Sequence, residues 1–252
     1  MRKHLIDVHA HLMYKNGGYD TDKRELYTAV ERYGVSRLYV SNPGSYYSTS
    51  EEIEGFNAPV RAFCAEDPKR FKYLCYLNPA MPDTIDVLRR AVLDHGAAGI
   101  KLWVATLCDD CRVFPVAEAC IELNVPILIH AFHKYAGQLP DETTGYNVAN
   151  LAARYPEARL IMAHLGGDAY HDIKSIRPHK NVWTDISGSK FRAGELEYAA
   201  GLVGAKRVLY GTDNIFTTNT GAVEDAALTE DEKQDIFWRN ACEIFNDPIE
   251  EA

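Results

Sequence analysis

The run Leu5–Leu12, LIDVHAHL, is the first of eight short apolar stretches that decide the fold. Each stretch is rich in Val, Ile, Leu or Tyr, which is typical of strands buried in a parallel sheet. The intervals between successive stretches leave room for one helix each. The other seven stretches are RLYVSN (Arg37–Asn42), FKYLCYLN (Phe71–Asn78), GIKLW (Gly99–Trp103), PILIHA (Pro126–Ala131), RLIMAHLG (Arg159–Gly166), VWTDISG (Val182–Gly188) and RVLYGTDN (Arg207–Asn214).

The segments between these strands carry helix signals. Glu25–Gly34 has apolar residues on one helical face and ends on a glycine, the residue that commonly follows a helix. Asp83 and Asp86 resemble an N-cap pair at the start of another helix. Thr229 and Glu232 have the spacing of a capping box. Helices are therefore predicted between the strands.

Strict alternation of strands and helices predicts a parallel sheet with helices outside it. Eight such units in 252 residues favour a (β/α)8 TIM barrel that forms a single α/β domain over residues 1–252. The alternative is a doubly wound open sheet, which usually has a glycine-rich phosphate-binding turn after its first strand. Here that turn reads MYKNGGYD and lacks the required glycine spacing.

Composition excludes several classes of protein. Lys and Arg total 27 against 36 Asp and Glu, so the net charge of −9 argues against a nucleic-acid partner. No apolar run approaches the roughly 20 residues of a membrane helix. Asp7, His9 and His11 interrupt the apolar run that a signal peptide would need, and six cysteines are too sparse for a disulfide scaffold. A cytoplasmic protein with no membrane partner is expected, and a homo-oligomer is compatible with this composition.

Four histidines and one aspartate interrupt the apolar strands at special positions. His9 and His11 are two residues apart on the first strand, so both point to the same face, towards the barrel interior. His130, His164 and Asp213 come late in the fifth, sixth and eighth strands. All five are therefore expected at the C-terminal mouth of the barrel, where barrel enzymes place their active sites.

Imidazoles and a carboxylate brought together in this way are the ligands that zinc prefers. Any one of these histidines alone is more simply explained as a core residue with satisfied hydrogen bonds. Five residues at the same end of the barrel are difficult to explain in that way. The set therefore predicts a metal site.

Several strand motifs resemble those of the amidohydrolase superfamily, and the closing NACEIF (Asn240–Phe245) is similar to the last helix of its amidohydrolase-related branch. That branch includes hydrolases and decarboxylases of the aminocarboxymuconate-semialdehyde type. The resemblance covers nearly the whole chain. The motifs are DVHAHL, GIKLW, ILIHA, IMAHLGG, VWTDISG and VLYGTDN.

The resemblance implies a role for each residue at the mouth. His9, His11, His130 and Asp213 match the family's metal ligands, which implies one divalent ion per chain, with Zn²⁺ expected. His164 matches a histidine that lies beside the metal-bound water in one-metal members. Three nitrogens and one oxygen leave a position open for water, and a neutral imidazole nearby can move a proton near neutral pH. His164 and Asp213 are therefore the expected proton carriers.

Lys101 on the fourth strand has three interpretations. It could be carboxylated and bridge two metal ions, as in two-metal members of the superfamily, or it could remain an amine and contact substrate. It could also be a structural ammonium paired with Asp7 or Asp185. We predict a catalytic role. The branch usually continues this motif with His-Pro, whereas Trp103 and Val104 stand here, which leaves the local substrate contacts open.

Residues in the loops around the mouth are candidates for substrate binding. The predicted contacts are Trp103, Lys134, Lys190 and Arg192, because cations at the mouth suit a carboxylate. Acidic residues occur on the same rim, so an ordinary solvated surface is the alternative. Cys108 and Cys111 form a single C-x-x-C pair, which is weak evidence for a redox or metal role.

The predicted function is that of a metal-dependent hydrolase acting on a small molecule. Water held by the metal would attack a C–N or C–O carbonyl carbon, and the cation would stabilise the oxyanion. The alternative is a metal-dependent, non-oxidative decarboxylase of an unsaturated or aromatic acid. Hydrolysis is preferred because the resemblance to the superfamily favours it in general. The sequence also shows no dedicated carboxylate-binding site, since Arg192 is the one arginine placed near the mouth.

Overall fold

The computed structural model describes residues 4–188 and 192–249, and within them eight parallel strands neighbour each other in chain order. The predicted (β/α)8 barrel is thereby confirmed. Each strand pairs with the next in parallel register. The strands are β1 (Ile6–His11), β2 (Arg37–Ser41), β3 (Phe71–Leu77), β4 (Gly99–Leu102), β5 (Ile127–Ile129), β6 (Leu160–Met162), β7 (Val182–Asp185) and β8 (Val208–Leu209).

Backbone hydrogen bonds join the last strand to the first. The amide of Val8 donates to the carbonyl of Tyr210 at 3.0 Å, and the amide of Asp213 donates to the carbonyl of His9 at 2.7 Å. The second bond holds the segment after β8 against the centre of β1. Asp213 is therefore placed beside the two histidines of β1 by the closure of the barrel itself.

Helices alternate with the strands along the chain. None of the described helices is long and apolar enough to cross a membrane. The helices are α1 (Asp20–Tyr33), α2 (Ser50–Glu66), α3 (Thr84–Leu93), α4 (Phe114–Glu122), α5 (Gly145–Arg154), α6 (Ala169–Ile176), α7 (Glu195–Val203), α8 (Phe216–Asp225), α9 (Glu230–Gln234) and α10 (Asn240–Phe245).

The positions of the three predicted helix ends are confirmed. Gly34 follows α1 with a φ of 70°, a left-handed conformation that favours glycine, and Thr229 and Glu232 form a capping box before α9. Asp83 stands at the N-cap position of α3, as predicted. Its side chain makes no cap hydrogen bond, because its carboxylate accepts a hydrogen bond from the hydroxyl of Ser50.

The core lies between the barrel and its outer helices. Aliphatic side chains such as Val8, Leu38, Ile100 and Ile129 are fully buried there. Burial of one such side chain contributes about 1.5–3 kcal/mol to folding, so the strand pattern itself supplies much of the stability. These residues fix the strands that carry the polar side chains at the mouth.

Every strand ends earlier than the sequence predicts, and three of them end before a predicted site residue. His130 follows the last residue of β5, whereas His164 and Asp213 lie in turns after β6 and β8. His164 has a φ of 63° and Asp213 a φ of 53°. Non-glycine residues rarely adopt this left-handed conformation, which cannot continue a strand. The backbone therefore turns at the two residues predicted to carry protons, a placement common at functional sites.

Candidate metal centre

A cavity of about 330 Å³ opens at the C-terminal mouth of the barrel. It contains the four predicted histidines and the predicted aspartate, and also Lys101 and Trp103. The other lining residues come from the loops after β1, β2 and β8. The cavity is lined by His9, His11, Met13, Lys15, Pro43, Lys101, Trp103, His130, His164, Asp213 and Asn214.

His9 is held so that one ring nitrogen faces the cavity. Its Nδ1 lies 2.9 Å from Asp185 Oδ2 and 2.9 Å from Ser187 Oγ, while its Nε2 lies 2.8 Å from the amine of Lys101. Burial and the charge of Lys101 lower the pKa of His9 to about 4, so the ring is neutral near pH 7. Because a carboxylate accepts the Nδ1 proton, Nε2 carries the lone pair, which faces the Lys101 amine and would bind a metal ion in its place.

The side chains of His11 and Asp213 are in contact in the cavity. His11 Nε2 lies 3.1 Å from Asp213 Oδ1, and His11 Nδ1 lies 3.1 Å from the hydroxyl of Ser41. Burial alone would raise the pKa of Asp213, but its hydrogen bond with His11 holds that pKa well below the usual range. An unprotonated Nε2 and a carboxylate oxygen would repel each other at this distance. The pair therefore requires a proton or a cation between its atoms.

The donor set at this point fits a divalent ion. Ligand atoms of His9, His11 and Asp213 all lie within 4.8 Å of one another. Two imidazole nitrogens and one carboxylate oxygen suit ions such as Zn²⁺ or Mn²⁺. Of the four predicted ligands, three thus converge on one point.

His130 lines the same cavity but is not part of that convergent set among the described residues. Its Nδ1 lies 3.1 Å from His164 Nε2, and its Nε2 lies 3.1 Å from Glu142 Oε1. Burial lowers the pKa of His130, which favours the neutral ring that a metal would need. Its role as a ligand stays a prediction.

His164 is fixed by contacts with the segment that ends β7. Its backbone amide donates to Asp185 Oδ1 at 2.9 Å, and its Nδ1 lies 2.9 Å from Ser187 Oγ. Gly188 packs so closely that a Cβ there would lie 3.0 Å from His164 Nδ1. Burial holds the pKa of His164 well below its usual value. The ring beside the cavity is therefore neutral near pH 7.

Lys101 is buried at the base of the cavity, and burial lowers its pKa to about 8. Within residues 4–188 and 192–249 its amine makes no ion pair with Asp7 or Asp185, so the structural pairing considered from the sequence is not formed. Asp7 instead accepts hydrogen bonds from the hydroxyl of Thr212 at 2.5 Å and from the amide of His9 at 2.9 Å. The amine of Lys101 contacts His9 and faces the cavity.

The predicted substrate contacts lie in different places. Trp103 lines the metal cavity and packs against Tyr46, with ring centroids 4.7 Å apart. The amine of Lys134 does not line this cavity and lies 2.7 Å from Oε2 of the buried Glu142. Arg192 lines a separate cleft between α7 and α8. Lys190 lies outside the described residues.

The C-x-x-C pair does not contribute to the centre. Cys108 is buried, its amide donates to Thr143 Oγ1 at 3.0 Å, and burial raises the pKa of its thiol. Cys111 is exposed in a short 3₁₀ helix. Both are free thiols, and neither lines the described cavity.

Three residues of the centre were missed as site residues by the sequence argument. Asp185 and Ser187 are two residues apart, so the same period of two that placed His9 and His11 would have placed both in the barrel interior. Asp185 was considered only as a partner of Lys101. Glu142, which contacts His130, lies in an irregular loop where no periodic signal exists.

Comparison with known proteins identifies similar sequences and folds. The family model described as Amidohydrolase matches residues 6–246. No curated protein matches the chain. Among solved structures, 2,6-dihydroxybenzoate decarboxylase from Rhizobium has a TM-score of 0.76 at 16% identity, covering 98% of this chain and 99% of its own.

Two further structures are similar. Dihydroxybenzoic acid decarboxylase from a Polaromonas species, solved with bound manganese and the inhibitor 2-nitroresorcinol, has a TM-score of 0.75 at 19% identity and covers 98% of this chain and 97% of its own. 5-Carboxyvanillate decarboxylase from Sphingomonas paucimobilis has a TM-score of 0.73 at 16% identity. The alignment covers 96% of this chain and 99% of that enzyme. At such identities the likeness concerns the fold.

Proposed function

The chain belongs to the amidohydrolase family, and on that basis we propose that it is a metal-dependent, non-oxidative decarboxylase of a small aromatic or unsaturated carboxylic acid. One observation carries the proposal. The convergent set of His9, His11 and Asp213 shares one cavity with the amine of Lys101. Such a cavity offers both a metal site and a cation for a carboxylate.

His9, His11 and Asp213 would hold the ion, with His130 as the proposed fourth ligand. A bound divalent ion supplies positive charge that attracts the oxygen atoms of an acid and stabilises negative charge near them. Asp185 supports this arrangement by fixing the ring of His9 through Nδ1. Zn²⁺ was expected from the sequence, and Mn²⁺ is an equal candidate because the similar Polaromonas enzyme was solved with manganese.

The cation at the base of the cavity favours an acid as substrate. Lys101 is fully surrounded by protein, so its amine interacts with a neighbouring carboxylate in a medium that screens charge less than water does. The wall of the cavity adds the indole of Trp103, which offers a flat face to a planar substrate. The three similar structures described above are decarboxylases of aromatic acids, which supports the same class of substrate.

Decarboxylation breaks one C–C bond, releases CO2 and leaves the electron pair on the carbon that lost it. That carbon must then receive a proton. Water supplies this proton, and we assign His164 and Asp213, which both line the cavity, to relay it to the carbon. Ser187 and Gly188 fix the ring of His164, so its position relative to the reacting carbon is set by the end of β7.

Hydrolysis, the function preferred from the sequence, now has less support. It rests on the broad chemistry of the superfamily, whereas the similar folds and the buried amine of Lys101 favour an acid substrate. Both reactions would use the same metal site, so the metal ligands do not distinguish hydrolysis from decarboxylation. A panel of substrates distinguishes the two reactions.

The test is a panel in which each acid is matched by an ester, a lactone or an amide. The acids are 2,6-dihydroxybenzoate, 5-carboxyvanillate and an unsaturated dicarboxylate, and the metal-loaded protein is assayed for CO2 release and for ester, lactone and amide cleavage. Release of CO2 from at least one acid, without cleavage of the matched compounds, is expected. Cleavage of the esters, lactones or amides with no CO2 from any acid would reject the proposal.

A further inference from the structure

We infer that Lys15 is a carboxylate-binding residue at the entrance of the metal cavity and determines a preference for acids over neutral analogues. This inference rests on the decarboxylase function proposed above and adds a residue to it. Lys15 lies in the loop between β1 and α1 and lines the cavity that contains the metal ligands. The substrate contacts predicted from the sequence were Trp103, Lys134, Lys190 and Arg192.

The loop holds Lys15 in a defined place. Its amide donates to the carbonyl of Gly18 at 2.8 Å, and the amide of Gly18 donates back to the carbonyl of Lys15 at 3.1 Å. These two bonds form a tight antiparallel bridge over four residues. The backbone of Lys15 is therefore anchored beside the cavity.

The side chain is oriented from behind by a buried carboxylate. The Lys15 amine lies 2.9 Å from Oδ1 of Asp22, which is fully buried in α1. Oδ2 of Asp22 accepts a hydrogen bond from the amide of Met13 at 2.6 Å, so the carboxylate itself is fixed to the same loop. Asp22 thus positions the Lys15 ammonium at the rim.

The ammonium retains binding capacity towards the cavity. An ammonium group has three donors, and the Lys15 amine forms an ion pair with Asp22 Oδ1, which accepts no hydrogen bond within the described residues. The Lys15 side chain is 48% exposed, so these donors face water or a ligand. The Lys134 amine has less capacity to bind a ligand, because it contacts both carboxylate oxygens of the buried Glu142.

Lys15 and Lys101 are the two ammonium groups among the described residues that line this cavity. Lys101 lies at its base in contact with His9, whereas Lys15 lies at the solvent end. A carboxylated substrate entering the cavity passes the Lys15 ammonium before it reaches the metal ligands. Lys15 is therefore expected to act on substrate affinity, and so on KM more than on kcat.

The experiment compares benzoate with benzamide, two probes of nearly the same shape that differ in charge. Their dissociation constants are measured by titration calorimetry on Mn²⁺-loaded wild-type protein, Lys15→Met and Lys15→Arg. Lys23→Met is the matched control, because Lys23 pairs with Glu66 at 2.9 Å and does not line the cavity. Thermal melting of each metal-loaded variant checks its fold.

Lys15→Met should weaken benzoate binding roughly 3- to 10-fold, a modest effect because a half-exposed ammonium is screened by water. Benzamide binding should stay within about twofold, and Lys15→Arg and Lys23→Met should retain the affinity for benzoate. Unchanged benzoate binding in Lys15→Met, or equal weakening of both probes, would overturn the inference. A wild-type protein that binds benzoate no better than benzamide would also overturn it.

The outcome is separate from that of the decarboxylase proposal. If wild-type protein releases CO2 from an acid but Lys15→Met keeps its preference for benzoate, the role of Lys15 fails and the proposed function stands. If the preference depends on Lys15 and no acid releases CO2, the carboxylate site stands and the proposed function fails.

Discussion

Replacement of Lys101 by methionine should tighten the binding of a divalent ion to the metal-free protein. The amine of Lys101 lies 2.8 Å from His9 Nε2, the atom that the ion requires. Burial lowers the pKa of Lys101 to about 8, so at pH 7 the amine is still mostly protonated. Metal binding must therefore break this hydrogen bond, and the methionine variant has no such bond to break.

The size of the effect follows from that contact. A hydrogen bond to a charged group contributes about 1.5–3 kcal/mol. If this bond is lost on metal binding, its removal should lower the metal dissociation constant by about 10- to 100-fold. Decarboxylation should fall in the same variant, because Lys101 would contact the substrate.

The assay is a competition titration of metal-free protein with Mn²⁺ and Zn²⁺ against a fluorescent chelator at pH 7. Lys174→Met, an exposed lysine of α6, is the control and should bind metal like the wild type. Loss of metal binding in Lys101→Met would refute the reasoning and favour a carboxylated lysine that bridges two ions. An unchanged dissociation constant would show that the contact with His9 does not oppose the metal.

Three further predictions concern other residues. His164→Asn should keep the metal and lose turnover by about 10²- to 10⁴-fold, as expected for loss of a proton carrier; loss of the metal measured by elemental analysis would make His164 a ligand. Burial raises the pKa of Asp172 to about 6 from 3.8, so its stabilising contribution is complete below about pH 4 and is lost as the pH rises through 6. Relative to Asp172→Asn, the wild type should lose about 2 to 3 kcal/mol of unfolding free energy between pH 4 and 7 in urea titrations. A difference that stays constant over this pH range would contradict the prediction. Gly167→Ala should lower the melting temperature, because φ is 79° and a Cβ would lie 2.7 Å from the amide nitrogen of His133; an unchanged melting temperature would argue against this packing.

The fold could be predicted because its signal is periodic. Buried strands such as Phe71–Leu77 and Gly99–Leu102 are short apolar runs at regular intervals, and eight of them with a helix in each gap favour the (β/α)8 barrel. The pair His9 and His11 could be placed for the same reason, since a period of two fixes their common face. The periodicity of the sequence was therefore enough to predict where in the barrel the cavity lies.

The loops around the cavity could not be predicted in this way. Arg192 and Lys134 were chosen for their charge and their place after a strand, but α7 and Glu142 determine where these side chains lie. Lys15 stands in a loop whose shape depends on the bridge to Gly18 and on the buried Asp22. Such contacts join residues with no periodic relation, so a sequence pattern does not show them.

The most direct test of the central proposal is the metal dependence of CO2 release. Protein freed of metal with a chelator is assayed on the acid of the panel that gives the highest rate, then again after addition of one equivalent of Mn²⁺ or Zn²⁺. We expect no CO2 above background without metal and recovery of activity at about one ion per chain. Release of CO2 that is unaffected by metal removal, or the absence of CO2 from every acid by metal-loaded protein, would contradict it.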